Sequence, residues 1–292
     1  MQEGKKLFQS ILEYDFLRNS FLTGLIIGII APLLGVFIVL RRQSLIADAL
    51  SHITLSGIAA SLLLQRYMTT LAPFNPIYGG MIFSVGGALL IEKFRSIYRH
   101  YEELAIPIIM SFGVGLGVVF LSLADGFNTD LFSYLFGSVS AVRTEDLHLI
   151  LFISVLVMLI VVLLFKELFL LSFDEEYSVV SGLKVRAINF IFIILVAVVI
   201  AISMQIVGVL LVSSLMTLPV AASIRIAKSF KSTIFTAIAF GEISVIGGLV
   251  TAYYFDLAPG GTIVIIATLL LMTAIVHKKY RLRYNYFMNK KK

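Results

Sequence analysis

The chain has 292 residues, of which 59% are hydrophobic and only 14% charged, and its mean hydropathy is +1.01. A soluble domain needs roughly a quarter of its residues charged to cover its core, so this composition excludes a soluble globular fold and predicts an all-α integral membrane protein. The net charge of +6 is local, because Lys278, Lys279, Arg281, Arg283, Lys290, Lys291 and Lys292 lie together with no acidic residue among them, and the other basic residues are nearly matched by the 17 acidic ones. A basic tail after an apolar segment reads as a cytoplasmic flank touching anionic lipid headgroups, and not as a nucleic-acid interface. The absence of cysteine excludes disulfides and thiolate metal sites, which leaves histidine and carboxylate as the strong ligands.

Residues 1–20 carry Lys5, Lys6 and Arg18, with Leu7, Phe8, Ile11, Leu12 and Phe16 near helical spacing, which predicts an amphipathic segment at the membrane interface. A transmembrane domain follows at 21–277, then the basic tail at 278–292. Within the domain, apolar stretches at 21–40, 45–65, 77–92, 104–123, 147–168, 187–206, 208–227, 232–254 and 261–277 predict a bundle of eight or nine crossings. The weakest is 77–92, which is short and contains Gly79-Gly80 and Gly86-Gly87. The two stretches around Gln205 could instead be one broken helix. With the tail inside, the connections holding Arg41, Arg42, Lys93, Arg95, Lys166, Lys184, Arg186, Arg225, Lys228 and Lys231 are also inside, and the N-terminus is outside. No glycine-rich phosphate loop ending in Gly-Lys-Ser/Thr is present, so any ATP hydrolysis belongs to another subunit.

Ionisable groups within a span cost about 2.5–3.5 kcal/mol each on insertion scales, so each needs a reason. Asp48 and His52 are four residues apart and share a helix face, where carboxylate and imidazole can reach one divalent cation. Two ligands do not close a site; two copies of the pair across a dimer axis would supply two nitrogens and two oxygens. A helix-capping Asp48 with a packed His52 fits the same spacing. Glu242 is deeper, in Phe240-Gly241-Glu242, and reads either as an ion or proton site or as a neutral carboxyl bonded to a neighbouring helix. Gln205 and Ser51 are further candidate pathway residues. His100, His148 and His277 form no cluster, and no catalytic triad or carboxylate pair can be assembled, so no enzyme activity is expected. Pro219 predicts a kink. Asp174, Glu175 and Glu176 followed by Gly182 predict a short exposed helix at 174–182 between two spans, shaped for a partner to grip.

The motifs RRQSLIADALSHITLSGIA at 41–59, SYLFGSVSAVRTEDL at 133–147, FDEEYSVVSGLKV at 173–185, VGVLLVSSLMTLPVAA at 207–222 and YYFDLAPGGTIV at 253–264 occur in one order. In them the chain resembles the permease subunits of ABC transporters that import zinc or manganese, the ABC type 3 metal permeases. The resemblance implies a type II importer fold, a homodimer in a bacterial cytoplasmic membrane, a cytoplasmic ATP-binding subunit and an extracytoplasmic metal-binding protein. It implies that Asp48 and His52 contact Zn2+ or Mn2+ as transported substrate, with no permanently bound cofactor. It also implies that Asp174, Glu175, Glu176 and Gly182 belong to the helix that docks on the ATPase. Gln43 and the Ile53–Ser56 variant lean toward the zinc branch. Ser56 stands where proline is common and predicts a straighter helix, and Glu242 replaces a commoner apolar or small residue. The alternatives are an ion-coupled secondary metal transporter working through Glu242, or a vitamin or siderophore permease that would not need Asp48 and His52.

Overall fold

Each predicted crossing overlaps an α-helix, and one of them, 147–168, overlaps two. The computed structural model describes residues 10, 13–68, 75–98, 100–124, 129–138 and 142–289, with the side chains of 129–132, 205, 210, 211 and 281–289 outside the described residues. The helices are α1 (Asp15–Leu40), α2 (Leu45–Tyr67), α3 (Pro76–Ile97), α4 (Ala105–Leu123), α5 (Thr129–Phe136), α6 (Thr144–Leu163), α7 (Phe165–Phe173), α8 (Glu175–Val180), α9 (Val185–Val207), α10 (Val209–Ile226), α11 (Phe230–Phe255) and α12 (Pro259–Asn289). No strand occurs among the described residues.

Several boundaries differ from the expectation. The first crossing starts at Asp15 rather than 21, since Leu17, Asn19 and Ser20 are already buried in the bundle and Asn19 Nδ2 donates to Thr144 Oγ1 at 3.1 Å. Most of the interfacial segment expected before it lies outside the described residues. The weak stretch 77–92 becomes a full 22-residue helix, because Pro76 suits a first helical position and the Asn75 side chain caps it by accepting from the Ile77 N–H at 3.1 Å. The stretch 147–168 divides into α6 and α7. The last helix continues into the basic tail as far as Asn289. Eight of the described helices are long and apolar enough to cross a membrane; α10, at 18 residues, is the short ninth.

Two sets of contacts fix the ends of the bundle. At one end Arg41, Arg95, Glu102, Glu175 and Asn189 gather, and Phe230 at the start of α11 packs edge-on against Phe37, Phe165 and Phe169. At the other, Asn75 donates to Asp146 at 2.7 Å, and Tyr253 at the far end of α11 donates to Ser10 at 3.1 Å. Ser10 and the last turns of α12 therefore lie at opposite ends.

α9 begins at the basic end and α10 returns to it, so the chain reverses at Gly208. This residue has φ +83°, a conformation open to glycine, and it lies against Gly137, which follows α5 and has φ +79°. A Cβ on Gly137 would fall 1.9 Å from the Ile206 carbonyl oxygen, and one on Gly208 would fall 2.4 Å from that of Leu135. The two stretches flanking Gln205 are thus separate helices joined at a glycine-on-glycine backbone crossing, not one broken helix. Small residues also set the helix contacts, with Gly35 of α1 against the Met216 backbone and Gly57 of α2 against Gly79 of α3.

Candidate metal pathway and coupling helix

α2 packs on α3 and α4 through Ile46, Ala47, Ala49, Leu50, Ile53, Thr54 and Ser56, all buried. Asp48, His52 and Leu55 form the adjoining stripe at i, i+4 and i+7, and they are half-buried because no helix of the same chain covers them fully. The Asp48 and His52 side chains make no hydrogen bond or ion pair with a described residue, although the His52 carbonyl accepts from the Ser56 hydroxyl at 3.0 Å. No group of three or more His, Cys, Asp or Glu close enough to hold a metal ion occurs among the described residues. A carboxylate and an imidazole, side chains of the chemistry a divalent cation takes, thus stand half-buried on one face of α2.

The other candidates are placed differently. The Ser51 side chain is buried, and its hydroxyl donates to the Ala47 carbonyl at 2.8 Å, so it is occupied within its own helix. The Gln205 side chain lies outside the described residues. Glu242 lies on α11 against Gly28 of α1, where a Cβ would meet its Oε1 at 2.8 Å. α11 packs on α1, α10 and α12 rather than on α2, so the structure does not bring Glu242 to the Asp48–His52 pair. Glu242 Oε1 is buried and makes no hydrogen bond with a described residue. The Ser56 hydroxyl donates to the Gly113 carbonyl of α4 and so ties α2 to α4.

The predicted exposed helix is α8. Asp174 caps it, with Oδ1 accepting from the Tyr177 N–H at 2.8 Å, while Ser178 is buried beneath. Gly182, at φ +81°, ends it together with bonds from Gly182 N to Val179 O (3.1 Å) and Leu183 N to Ser178 O (3.2 Å). Glu175 and Glu176 are exposed, and so are Tyr177, Val179 and Val180, the last at 84%. An acidic first turn thus stands beside an uncovered apolar tip.

Sequence reasoning treated Arg41 only as a flanking charge and gave Asn189 no role. In the structure Arg41 turns inward: Nη1 donates to Asn189 Oδ1 at 2.9 Å, and the guanidinium lies 4.9 Å from the Phe192 ring centre. Burial pushes Arg41 down to about 10, opposed by the Glu175 carboxylate, so it remains charged at neutral pH. Beside it, Arg95 donates to Glu102 at 2.8 Å, and Gln43, with its amide oxygen turned toward Arg95, accepts from Nη2 at 3.1 Å. Nothing in the sequence pattern separates a buried arginine from its exposed neighbour Arg42; only the side chain's direction does.

Among the described residues, twelve α-helices and no strand, with eight of the helices long and apolar enough to cross a membrane, define a multi-pass membrane protein. The chain matches the model of the ABC 3 transport family over residues 13–278 and belongs to that family; it is a membrane permease subunit of an ABC transporter. It is 34% identical over 265 residues to the "Probable metal transport system membrane protein" of Treponema pallidum, covering 91% of this chain and 96% of that one. It is 33% identical over 268 residues to the "Manganese transport system membrane protein MntC" of Listeria innocua, covering 92% of each. Among solved structures it is similar to PsaBC from Streptococcus pneumoniae in complex with Fab, with a TM-score of 0.80 and 30% identity over 92% of this chain and 94% of that chain.

Proposed function

We propose that two copies of this chain form the membrane pathway of an ATP-driven importer of divalent transition-metal cations in a bacterial cytoplasmic membrane. The observation that carries the reading is the unpaired Asp48–His52 stripe on the uncovered face of α2. A carboxylate left half-buried without a cation partner is costly, and a passing metal ion offsets that cost. Two protomers contribute two imidazole nitrogens and two carboxylates, a set that suits manganese with added water and also suits zinc. Manganese is the favoured cargo in place of the zinc lean from the sequence, because relatives across 92% of the chain carry manganese in their names. The ligands act transiently: an extracytoplasmic binding protein delivers the ion, the pair takes it up, and movement of α8 by cytoplasmic ATP-binding subunits opens the path inward.

The test is manganese and zinc uptake in cells or proteoliposomes carrying Asp48→Ala and His52→Ala. Each variant is expected to lose at least about tenfold in uptake, since removing one of two ligand types per protomer halves that part of the donor set. Normal ATP-dependent uptake of both metals in both variants refutes the assignment. Uptake that persists without ATP and is abolished by Glu242→Gln would instead establish an ion-coupled transporter.

A further inference from the structure

The α8 helix packs on α7 and α9 and buries Ser178 beneath it. Its cap bonds are internal, and among the described residues the side-chain hydrogen bond that joins it to another helix runs from Asn189 Nδ2 to Glu175 Oε1, at 3.4 Å. The same Asn189 amide accepts from Arg41 Nη1 at 2.9 Å. Because arginine offers only donors, the amide oxygen must face it, and the amide NH2 is thereby aimed at Glu175.

Arg41 in turn is continuous with the metal-facing helix. Arg41 N bonds Phe37 O, Arg42 N bonds Val39 O and Gln43 N bonds Ile38 O, at 3.2, 3.0 and 3.0 Å, and Arg42 holds φ +58°. Ile46 N then bonds Gln43 O at 2.9 Å and Ala47 N bonds Ser44 O at 3.3 Å. Backbone hydrogen bonds thus tie the Arg41–Gln43 turn to the end of α1 and to the first turn of α2, which carries Asp48. The guanidinium is pinned over Phe192, one helical turn beyond Asn189 on α9.

We infer that Asn189 is a positioning residue that links the ATPase-docking helix to the metal ligands, through Glu175 on one side and through Arg41 and the α1–α2 turn on the other. The inference rests on the transport reading above. Arg41 Nε and Nη2 are buried and make no hydrogen bond with a described residue. The link therefore leaves the guanidinium with spare donors, which lets it take new partners as α8 moves while keeping its charge inside.

The experiment uses the whole transporter, with its ATP-binding subunit and binding protein, in proteoliposomes, and measures Mn2+ uptake and ATP hydrolysis in parallel. Asn189→Leu, of similar volume but unable to bond either partner, is expected to lower metal ions moved per ATP hydrolysed by five- to tenfold. Asn189→Asp keeps the Arg41 arm but sets two carboxylates against each other at Glu175, and is expected to lower the same ratio. The double exchange Asn189→Asp with Glu175→Gln restores a donor facing an acceptor and is expected to recover most of it. A wild-type ratio in Asn189→Leu, or a double exchange no better than Asn189→Asp alone, overturns the inference. If Asn189→Leu fails to assemble, the comparison of the single and double exchange decides alone. Failure of wild-type protein to take up Mn2+ with ATP would count against the transport reading itself, separately from this link.

Discussion

Replacing Gly35 with alanine tests whether backbone contact between α1 and α10 holds this bundle together. A Cβ at Gly35 would fall 2.0 Å from the Met216 carbonyl oxygen, 2.9 Å from its carbonyl carbon and 3.2 Å from its Cα. Real Cβ atoms essentially never approach a heavy atom closer than 3.0 Å, so the helices must separate by about 1 Å or more, and the obstacle is backbone that cannot rotate away. Overpacking of this kind costs about 1–3 kcal/mol. The matched control is Gly115→Ala on α4, where the added Cβ meets nothing within 4 Å and the only change is the gain in helix propensity, about 0.5–1 kcal/mol. The assay is thermal unfolding of the purified chain in nanodiscs, followed by loss of the monodisperse peak. Gly35→Ala should melt clearly below wild type and Gly115→Ala at or slightly above it. Equal shifts in the two variants would refute the claim that close approach, rather than glycine itself, is what matters.

Two glycines with left-handed backbone should separate in the same assay. Gly182→Ala carries strain of about 1–2 kcal/mol in open space, whereas Gly208→Ala adds to that strain a Cβ 2.4 Å from the Leu135 carbonyl oxygen and should sharply reduce folded yield. Asp146 accepts from the Asn75 side chain at 2.7 Å and from the Arg143 N–H at 3.2 Å, so Asp146→Ala should cost about 1–2 kcal/mol, read as a lower melting temperature; an unchanged value would show that the cap contributes nothing. Since the chain has no cysteine, Val180→Cys and Asp256→Cys are clean topology probes. A membrane-impermeant thiol reagent on intact cells or right-side-out vesicles should label Asp256→Cys and spare Val180→Cys, and the reverse pattern would invert the orientation.

The membrane class, the helical content and nearly every crossing were legible in the sequence, because a span must satisfy its backbone internally and present some 20 apolar residues, and both demands are local. The exposed helix at 174–182 was legible for the same reason: an Asp cap and a glycine stop act within a turn. The Asp48–His52 pair was visible as a spacing, since four residues along a helix fix a shared face. What the sequence could not rank was which apolar helices form the interior. α9 and α6 are about equally apolar, yet 67% of the first and 33% of the second is buried, because lipid and protein interior ask for the same side chains. Nor could it tell Arg41, folded back over Phe192 to Asn189, from the exposed Arg42 beside it, or place Glu242 on a helix that does not touch α2. Spacing along one helix sets which residues share a face, whereas what that face meets depends on helices distant in the chain. Only the packing of α1, α2 and α9 brought the exposed helix α8, the inward-turned Arg41 and the turn leading to Asp48 and His52 together.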